Sequence, residues 1–178
     1  MAKSFNYISL SSVSIPKGVF DYVELANKIV YKYPSDKFYW IGTGDIPKGL
    51  DGRNVCFTGF LNEKEKKRML TKSNTIFLNC SHFEGFSVPI AEACLLKVPV
   101  LCYKLPELYA TYGPHINYVN CYNSNEFFKC LELLRKNFVI YKEKAVLARR
   151  FVIENYSAHK FTSKFMNSLE VLNERRIK

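Results

Sequence analysis

The amino-acid sequence predicts an α/β fold, a doubly wound open parallel sheet of about six strands. Short segments rich in aromatic and β-branched residues alternate with amphipathic segments, which is the pattern of repeated strand–helix units. The strand-like segments are almost continuously apolar, as is typical of a sheet covered by helices on both faces. With 178 residues, 48% of them hydrophobic, the chain is long enough for one domain with a full core, and we expect 1–178 to be that domain.

Six segments are predicted to be strands because they combine aromatic and β-branched side chains. Short connections join each of them to an amphipathic segment, so the strands are expected to be parallel. In chain order the predicted strands are 5–10, 37–41, 54–57, 75–80, 98–103 and 116–119.

Six segments are predicted to be helices. The first, 19–33, has apolar residues at a helical spacing, at positions 19, 23, 26, 30 and 33. The second, 62–72, is charged and has Asn62 as its N-cap, and the third, 88–97, is apolar with proline in its first turn, where proline is tolerated. The others are 126–136, which is amphipathic, 141–154, and 158–175, whose apolar residues are Phe161, Phe165, Leu169 and Leu172.

The charge of the chain favours an anionic partner. Lys and Arg total 26 against 16 acidic residues, a formal net charge of +10. Nucleotide phosphates, nucleic acid and an acidic membrane surface all fit this charge, which does not choose among them. The basic run 64–68 has Glu63 and Glu65 interleaved with it, so it predicts a solvated helix face.

The six cysteines and three histidines indicate neither a disulfide framework nor a metal centre. There is no C-x-x-C pair, several cysteines lie in apolar runs, and His82, His115 and His159 lack metal-ligand spacing. We expect reduced, buried thiols in a cytoplasmic protein, since the sequence also shows no signal peptide and no membrane-spanning run. The basic charge is compatible with a peripheral contact at the cytoplasmic membrane face.

A ligand site is expected beyond the carboxyl ends of the strands, as in other open α/β sheets. Glycine, serine, lysine and carboxylate side chains are concentrated in the loops predicted at that edge. These loops are SSVSIPKG (11–18), GTGD (42–45), TGFL (58–61), SHFEGFS (81–87) and KLPE (104–107).

The segment HFEGFSVPIAE (82–92) places two carboxylates around a turn and a helix start. Gly85 permits a backbone bend, and Ser87 is expected to cap the next helix, whose first N–H groups can bind phosphate. Glu84 on the loop and Glu92 in the helix are suited to accept hydrogen bonds from sugar hydroxyls. The spacing therefore suggests a ligand with hydroxyls at both ends and phosphate between them.

EGFSVPIAE (84–92) resembles the E-x7-E signature of retaining, GT-B-fold glycosyltransferases of the glycosyl transferases group 1 family, which use nucleotide sugars. The resemblance covers nearly the whole chain and implies a Rossmann-like domain, the C-terminal half of a GT-B enzyme. Further segments resemble the family's motifs in the expected order: PKGVFDYVELA (16–26), FYWIGTGD (38–45), NVCFTGFLNEKE (54–65), EACLLKVPVLCY (92–103) and ARRFVIENYS (148–157).

The resemblance implies roles for the residues of the E-x7-E segment. Glu84 would contact the donor sugar, and Glu92 would hold the ribose hydroxyls. The backbone of Gly85, Phe86 and Ser87 would meet the sugar and the phosphate.

The resemblance also implies a cation for the diphosphate. Lys17 would neutralise the diphosphate and help the nucleotide to leave, because a fixed cation stabilises the negative charge that develops. The family usually carries an arginine five or six residues earlier, where this chain has Ser12 and Ser11. Ser12 is therefore a candidate binding residue, and Lys104 is a candidate for the missing positive charge.

Other residues are implied in a nucleoside pocket. Gly42 and Gly44 would line it, and Phe60 and Leu61 would lie near the base. No D-x-D pair exists in the sequence, which argues against the metal-dependent class of glycosyltransferases, so we expect no metal site.

The implied activity is retaining transfer from a UDP-, GDP- or ADP-sugar to a glycan, lipid or protein acceptor, without a bound cofactor. The family's enzymes have two Rossmann-like domains, and 1–178 corresponds to the donor-binding half. We therefore expect the N-terminal acceptor domain to be absent from this chain, a separate chain to be one possible source of it, and turnover by 1–178 alone to be absent or slow. The helix 158–175 would pack on the missing half or on this domain's own sheet.

Three other functions fit parts of the sequence. One is a non-catalytic module that binds nucleotide sugars or serves as a scaffold. A nucleic-acid-binding protein is favoured by the net charge of +10. A nucleotide-sugar epimerase has a similar two-domain plan, but its catalytic acids would also need the missing half.

Overall fold

The computed structural model describes residues 3–157 and residue 160. In these residues six strands form one sheet in which every strand is parallel to its neighbours. The strands are β1 (Asn6–Leu10), β2 (Lys37–Ile41), β3 (Val55–Gly59), β4 (Thr75–Asn79), β5 (Val100–Tyr103) and β6 (Asn117–Val119).

The helices lie on both faces of this sheet. They are α1 (Val19–Lys32), α2 (Glu63–Leu70), α3 (Val88–Leu95), α4 (Pro106–Tyr112), α5 (Ser124–Lys136) and α6 (Phe138–Tyr156), with two 3-10 turns at Ile15–Lys17 and Gly113–His115. Helix α1 packs against α5, and α3 packs against α6. Because right-handed crossovers that move in opposite directions leave a sheet on opposite faces, these two helix pairs cover opposite faces.

The strand order β3-β2-β1-β4-β5-β6 confirms the predicted doubly wound parallel sheet. From β1 the chain steps to β2 and β3 on one side and then crosses to β4 on the other. The order reverses between β1 and β4, and this switch point is where α/β sheets form their ligand crevice.

Helix α4 is the main element that the sequence did not predict. KLPE (104–107) was expected to be a loop, but Pro106 begins a seven-residue helix that buries Leu108 and Tyr112. Two buried residues are too few to show a helical period. Helices α5 and α6 begin earlier than the predicted segments 126–136 and 141–154. The predicted helix 158–175 lies outside the described residues, except for residue 160.

Large aromatic side chains fill the core and also satisfy backbone atoms. Tyr22 of α1 is fully buried, and its hydroxyl donates to the backbone oxygens of Tyr7 and Tyr39 at 3.0 and 2.9 Å. Burial raises the pKa of Tyr22 well above its usual value. This hydroxyl therefore remains a neutral donor that ties α1 to β1 and β2.

The thiols are free, as predicted, but only some of them are buried. Cys80, Cys94 and Cys102 lie in the interior, and burial raises the pKa of Cys94 to about 12. Cys56 is exposed. Within the described residues, no cluster of three or more His, Cys, Asp or Glu side chains could bind a metal ion, and no helix is long and apolar enough to span a membrane.

The amino ends of β1 and β2 are joined to α5 through Asp36, whose side chain is fully buried. Its carboxylate accepts hydrogen bonds from the Phe5 N–H at 3.0 Å and the Tyr7 hydroxyl at 2.9 Å. Arg135 of α5 donates to both carboxylate oxygens, with Nε at 3.0 Å and Nη2 at 3.3 Å. The buried negative charge is therefore neutralised and fully hydrogen-bonded.

We expect Arg135→Ala to lower the free energy of unfolding by about 3 kcal/mol, because it leaves a buried carboxylate without its cation. Urea unfolding of the full chain measures this loss. Arg53→Ala is the matched control, since Arg53 pairs with Asp51 at the exposed surface and exposed pairs contribute little. Equal losses in the two variants would contradict the assigned role of Arg135.

Candidate functional site

Four loops follow the carboxyl ends of β1 to β4, at the edge of the sheet where the sequence predicts a ligand site. The loop after β1 contacts the loops after β2 and β4, and the loop after β2 contacts the end of β3. We call them the β1 loop (11–18), the β2 loop (42–54), the β3 loop (60–62) and the β4 loop (80–87).

The β1 and β4 loops meet at the switch point of the sheet. Gly18 has φ 75°, and a Cβ placed on it would lie 1.9 Å from the carbonyl oxygen of Cys80. The His82 N–H donates to the Pro16 carbonyl at 2.9 Å. Only glycine allows this approach, which fixes the two loops against each other.

The two candidate catalytic residues form an ion pair across this junction. Lys17 ends the 3-10 turn of the β1 loop, and its Nζ lies 2.9 Å from Glu84 Oε1 of the β4 loop. The Glu84 side chain is only 10% exposed, so the lysine neutralises a nearly buried carboxylate. The structure therefore brings Lys17 and Glu84 together.

Asn79 supports this pair and was not predicted from the sequence. It ends β4 and is buried, and its Nδ2 makes long contacts of 3.4 Å to both Glu84 Oε1 and Ser87 Oγ. Its Oδ1 accepts the Ser81 N–H at 3.0 Å. A polar side chain at the end of an apolar strand was the only signal in the sequence.

The turn at 85–87 corrects the expectation that Ser87 caps the next helix. Ser87 stands at the N-cap of α3, but its side chain makes no capping hydrogen bond, because its backbone has φ 54° and not the extended conformation of capping residues. Gly85, by contrast, has no left-handed backbone, and a Cβ on it would meet nothing within 4 Å. The chain does bend at Gly85, as expected, but this bend needs no left-handed backbone and Gly85 faces open space.

The start of α3 offers fewer free N–H groups than expected. Pro89 has no N–H, and the Ile90 and Ala91 N–H groups donate to the Ser87 carbonyl at 3.0 and 3.3 Å. The Tyr112 hydroxyl of α4 donates to the same carbonyl at 3.1 Å and to that of Phe86 at 2.7 Å. The unpredicted helix α4 thus fixes the turn that precedes α3.

The β2 loop packs on the β1 loop through the predicted glycines. A Cβ on Gly42, which has φ 148°, would lie 1.9 Å from the Ser11 carbonyl oxygen. At Gly44, which has φ 133°, the same atom would lie 2.7 Å from the Val13 carbonyl oxygen. The Gly42 N–H also donates to Gly59 at the end of β3, 2.9 Å away. Both glycines are therefore required by close backbone approach.

The second candidate carboxylate forms its own ion pair. Glu92 of α3 lies 3.0 Å from Lys66 Nζ of α2, which also lies 2.8 Å from Glu63. Partial burial lowers the pKa of Lys66, but the hydrogen bonds to Glu63 and Glu92 raise it by more, so the net pKa is raised. The N-cap Asn62 is confirmed, because its side chain accepts the Glu65 N–H at 3.0 Å.

Lys66 belongs to the basic run 64–68, which was predicted to be solvated. The other basic residues of the run are exposed, but the Lys66 side chain is only 16% exposed. Nothing in the sequence distinguished it from its neighbours.

The remaining candidates lie at the same edge without joining either ion pair. Ser12 and Lys104 are exposed, and the Lys104 ammonium lies 4.6 Å from the centre of the Tyr109 ring. Phe60 is 79% exposed, and Leu61 is half-buried.

The site thus contains two carboxylates, each neutralised by a lysine from an earlier loop or helix. The hydroxyl groups of a bound polyol could donate hydrogen bonds to the carboxylates, and a bound diphosphate could take the place of a carboxylate next to Lys17. Such a site is suited to a ligand that carries both hydroxyl groups and negative charge.

Comparison with known proteins points to one family. A family model described as "Glycosyl transferases group 1" matches residues 5–117. No curated protein matches the sequence. Among solved structures, the chain is similar to the crystal structure of TarM, with TM-score 0.75 and 21% identity over 90% of this chain and 34% of that one.

Two further structures have the same fold. One is a mutant of S. aureus TarM in complex with Fondaparinux, alpha-GlcNAc-glycerol and UDP (TM-score 0.78, 21% identity, 91% of this chain and 34% of that one). The other is the C-terminal domain of LpcC, a glycosyl transferase group 1 family protein from Francisella tularensis (TM-score 0.64, 20% identity, 85% of this chain and 86% of that one). The chain spans about a third of the TarM chains, and at these identities the likeness shows the fold.

We expect Gly18→Ala to destabilise the domain by about 3 kcal/mol or more, because the new Cβ collides with the Cys80 backbone. Gly49→Ala is the matched control: Gly49 has φ 80°, but a Cβ there meets nothing within 4 Å, so only the backbone strain of about 1–2 kcal/mol remains. Urea unfolding compares the two, and similar losses would mean that the β1 and β4 loops separate easily.

Proposed function

The chain belongs to the glycosyl transferases group 1 family, and we propose that it is the donor-binding half of a retaining, metal-independent glycosyltransferase that uses a UDP-, GDP- or ADP-sugar. The observation that carries this proposal is the pair of lysine-neutralised carboxylates, Glu84 and Glu92, at the switch-point edge of the sheet. The fold, which is that of a GT-B C-terminal domain, supplies the frame.

In the proposed complex the diphosphate replaces Glu84 as a partner of Lys17. The Lys17 side chain is 31% exposed, so an anion can reach it from solvent. Glu84 then becomes free to accept hydrogen bonds from the donor sugar. As the sugar leaves the nucleotide, negative charge grows on the diphosphate, and the lysine stabilises it where a metal ion would otherwise be used.

We assign the nucleoside and the sugar of the donor to opposite sides of Lys17. Glu92, 30% exposed, accepts the ribose hydroxyls after partial release from Lys66. The base lies toward the β2 and β3 loops, beside Gly44 and the exposed Phe60 ring. Gly85 borders open space, which leaves room for the sugar against its backbone.

The acceptor side requires residues beyond those described. The structure of a TarM mutant contains UDP and alpha-GlcNAc-glycerol, so that protein binds both a nucleotide and a glycosylated molecule. By analogy, we propose that a second domain, in a longer chain or a separate one, supplies the acceptor contacts for this chain.

We expect UDP, GDP, ADP or one of their glucose conjugates to raise the melting temperature of the full chain. At a ligand concentration of about one hundred times the Kd, the stabilisation is about 2.7 kcal/mol. Glu92→Ala is expected to remove most of it, because the ribose loses its acceptor.

The control for Glu92→Ala is Glu63→Ala. Glu63 contacts the same lysine, but its side chain is 86% exposed and it is not assigned to the ligand. An unchanged shift in Glu92→Ala would contradict the ribose assignment, and no shift with any of these ligands would contradict the proposed function.

We also expect Lys17→Met to weaken the binding of UDP by about ten- to a hundredfold, the loss expected for one charged hydrogen bond. The binding of uridine, which has no phosphate, should change little. Titration calorimetry measures the UDP affinity, competition against UDP measures that of uridine, and Lys37→Met, at an exposed lysine on the amino end of β2, is the control. Equal losses for UDP and uridine would show that Lys17 acts on the fold and not on the diphosphate.

A further inference from the structure

His82 uses its side chain and its backbone to attach the β4 loop to three other parts of the fold. Its Nε2 lies 2.7 Å from Asp21 Oδ2 in the first turn of α1. Its N–H donates to Pro16 of the β1 loop at 2.9 Å, and its carbonyl accepts from the Tyr122 hydroxyl at 3.1 Å. Glu84, the proposed sugar-binding carboxylate, lies two residues further along this loop.

Asp21 is the acceptor at the centre of this cluster. Its Oδ2 also accepts from the Tyr103 hydroxyl at the end of β5, 2.9 Å away. Burial, Cys80 and Asp21 together raise the pKa of Tyr103, so this hydroxyl stays protonated and can only donate here. Because the carboxylate accepts both bonds, Nε2 of His82 must carry a hydrogen.

The Tyr122 contact comes from a strained position. Tyr122 has φ 59°, a left-handed conformation that costs a non-glycine residue about 1–2 kcal/mol. Its ring packs edge-on against His82, with the ring centres 4.9 Å apart. Residues with strained backbone angles are found where neighbouring residues hold them in place, and they are frequent at functional sites.

We propose that His82 is a positioning residue for Glu84, and that its bond to Asp21 sets the loop geometry on which recognition of the donor sugar depends. This inference rests on the proposed function. The Lys17–Glu84 pair positions the carboxylate in the free domain, but the diphosphate is expected to take Lys17 when the donor binds. From that moment the long contact from Asn79 and the anchors of the β4 loop, including His82, must keep Glu84 in place.

A positioning role differs from simple packing in what can replace His82. Glutamine places an amide N–H close to the position of imidazole Nε2 and can still donate to Asp21. Methionine has a similar length and fills the space without a donor. His82→Gln should therefore preserve the loop, whereas His82→Met should not.

The first measurement needs no ligand. Hydrogen–deuterium exchange of the full chain should show amides of 80–87 exchanging about tenfold faster in His82→Met than in wild type, the factor expected for one lost charged hydrogen bond. Exchange in β4 should not change. His82→Gln should stay within about twofold of wild type. Tyr103→Phe removes the other bond to Asp21 but keeps the aromatic ring beside His82, so it should leave the exchange of 80–87 unchanged.

The second measurement separates the sugar from the nucleotide. Titration with UDP and with UDP-glucose should show His82→Met weakening UDP-glucose by about tenfold and UDP by less than about threefold. His82→Gln should restore both. The ratio of the two affinities reports the sugar contact alone, so a general loss of stability would not change it.

These experiments distinguish failure of the His82 anchor from failure of the proposed donor binding. Faster exchange of 80–87 in His82→Met, with rescue by His82→Gln, supports the loop anchor even if neither UDP compound binds, and in that case only the donor assignment fails. Unchanged exchange in His82→Met, or an equal loss in both His82 variants, would overturn the positioning role. An unchanged affinity ratio where both ligands bind would also overturn it.

Discussion

The approach of the β1 loop to the β4 loop is the constraint on which the candidate site depends. Lys17 and Glu84 come from segments 67 positions apart in the sequence, and they meet because Gly18 allows the β1 loop to lie against the Cys80 backbone. The sheet order creates this meeting by making β1 and β4 neighbours at the switch point. The contact between Gly18 and Cys80 therefore connects the strand order of the sheet to the Lys17–Glu84 ion pair.

The electrostatic design of the free domain follows from that geometry. A carboxylate that is 10% exposed would be costly to leave charged without a partner, so the free domain needs a cation there. In the proposed complex the same lysine is the partner of the diphosphate, because it is already fixed in place. Lys17 would then neutralise Glu84 in the free domain and bind the diphosphate in the complex. The contacts of His82 with Asp21, Pro16 and Tyr122 matter because they stay the same in both states.

The sequence was sufficient for the fold, and the position of the site proposed here follows from that fold. The helical spacing of apolar residues in 19–33 and the apolar runs at β4 and β5 predict parallel strand–helix units. In a parallel sheet of this kind, ligands bind at the carboxyl ends of the strands. The sequence was not sufficient for contacts that cross between elements. Lys66 is one of four basic residues in a charged run, and only the packing of α2 beside α3 distinguishes it. The capping role assigned to Ser87 shows the same limit, since it depends on a backbone angle that the sequence does not reveal.

The left-handed backbone of Ser87 restricts what evolution can place at that position. Threonine would retain the hydroxyl, but its branched Cβ is poorly tolerated at φ 54°, whereas glycine would accept the angle and lose the hydroxyl. The backbone angle at position 87 thus limits the possible substitutions more than the need for a hydroxyl group does. Related chains should vary there among glycine, serine and asparagine, and seldom include valine, isoleucine or threonine.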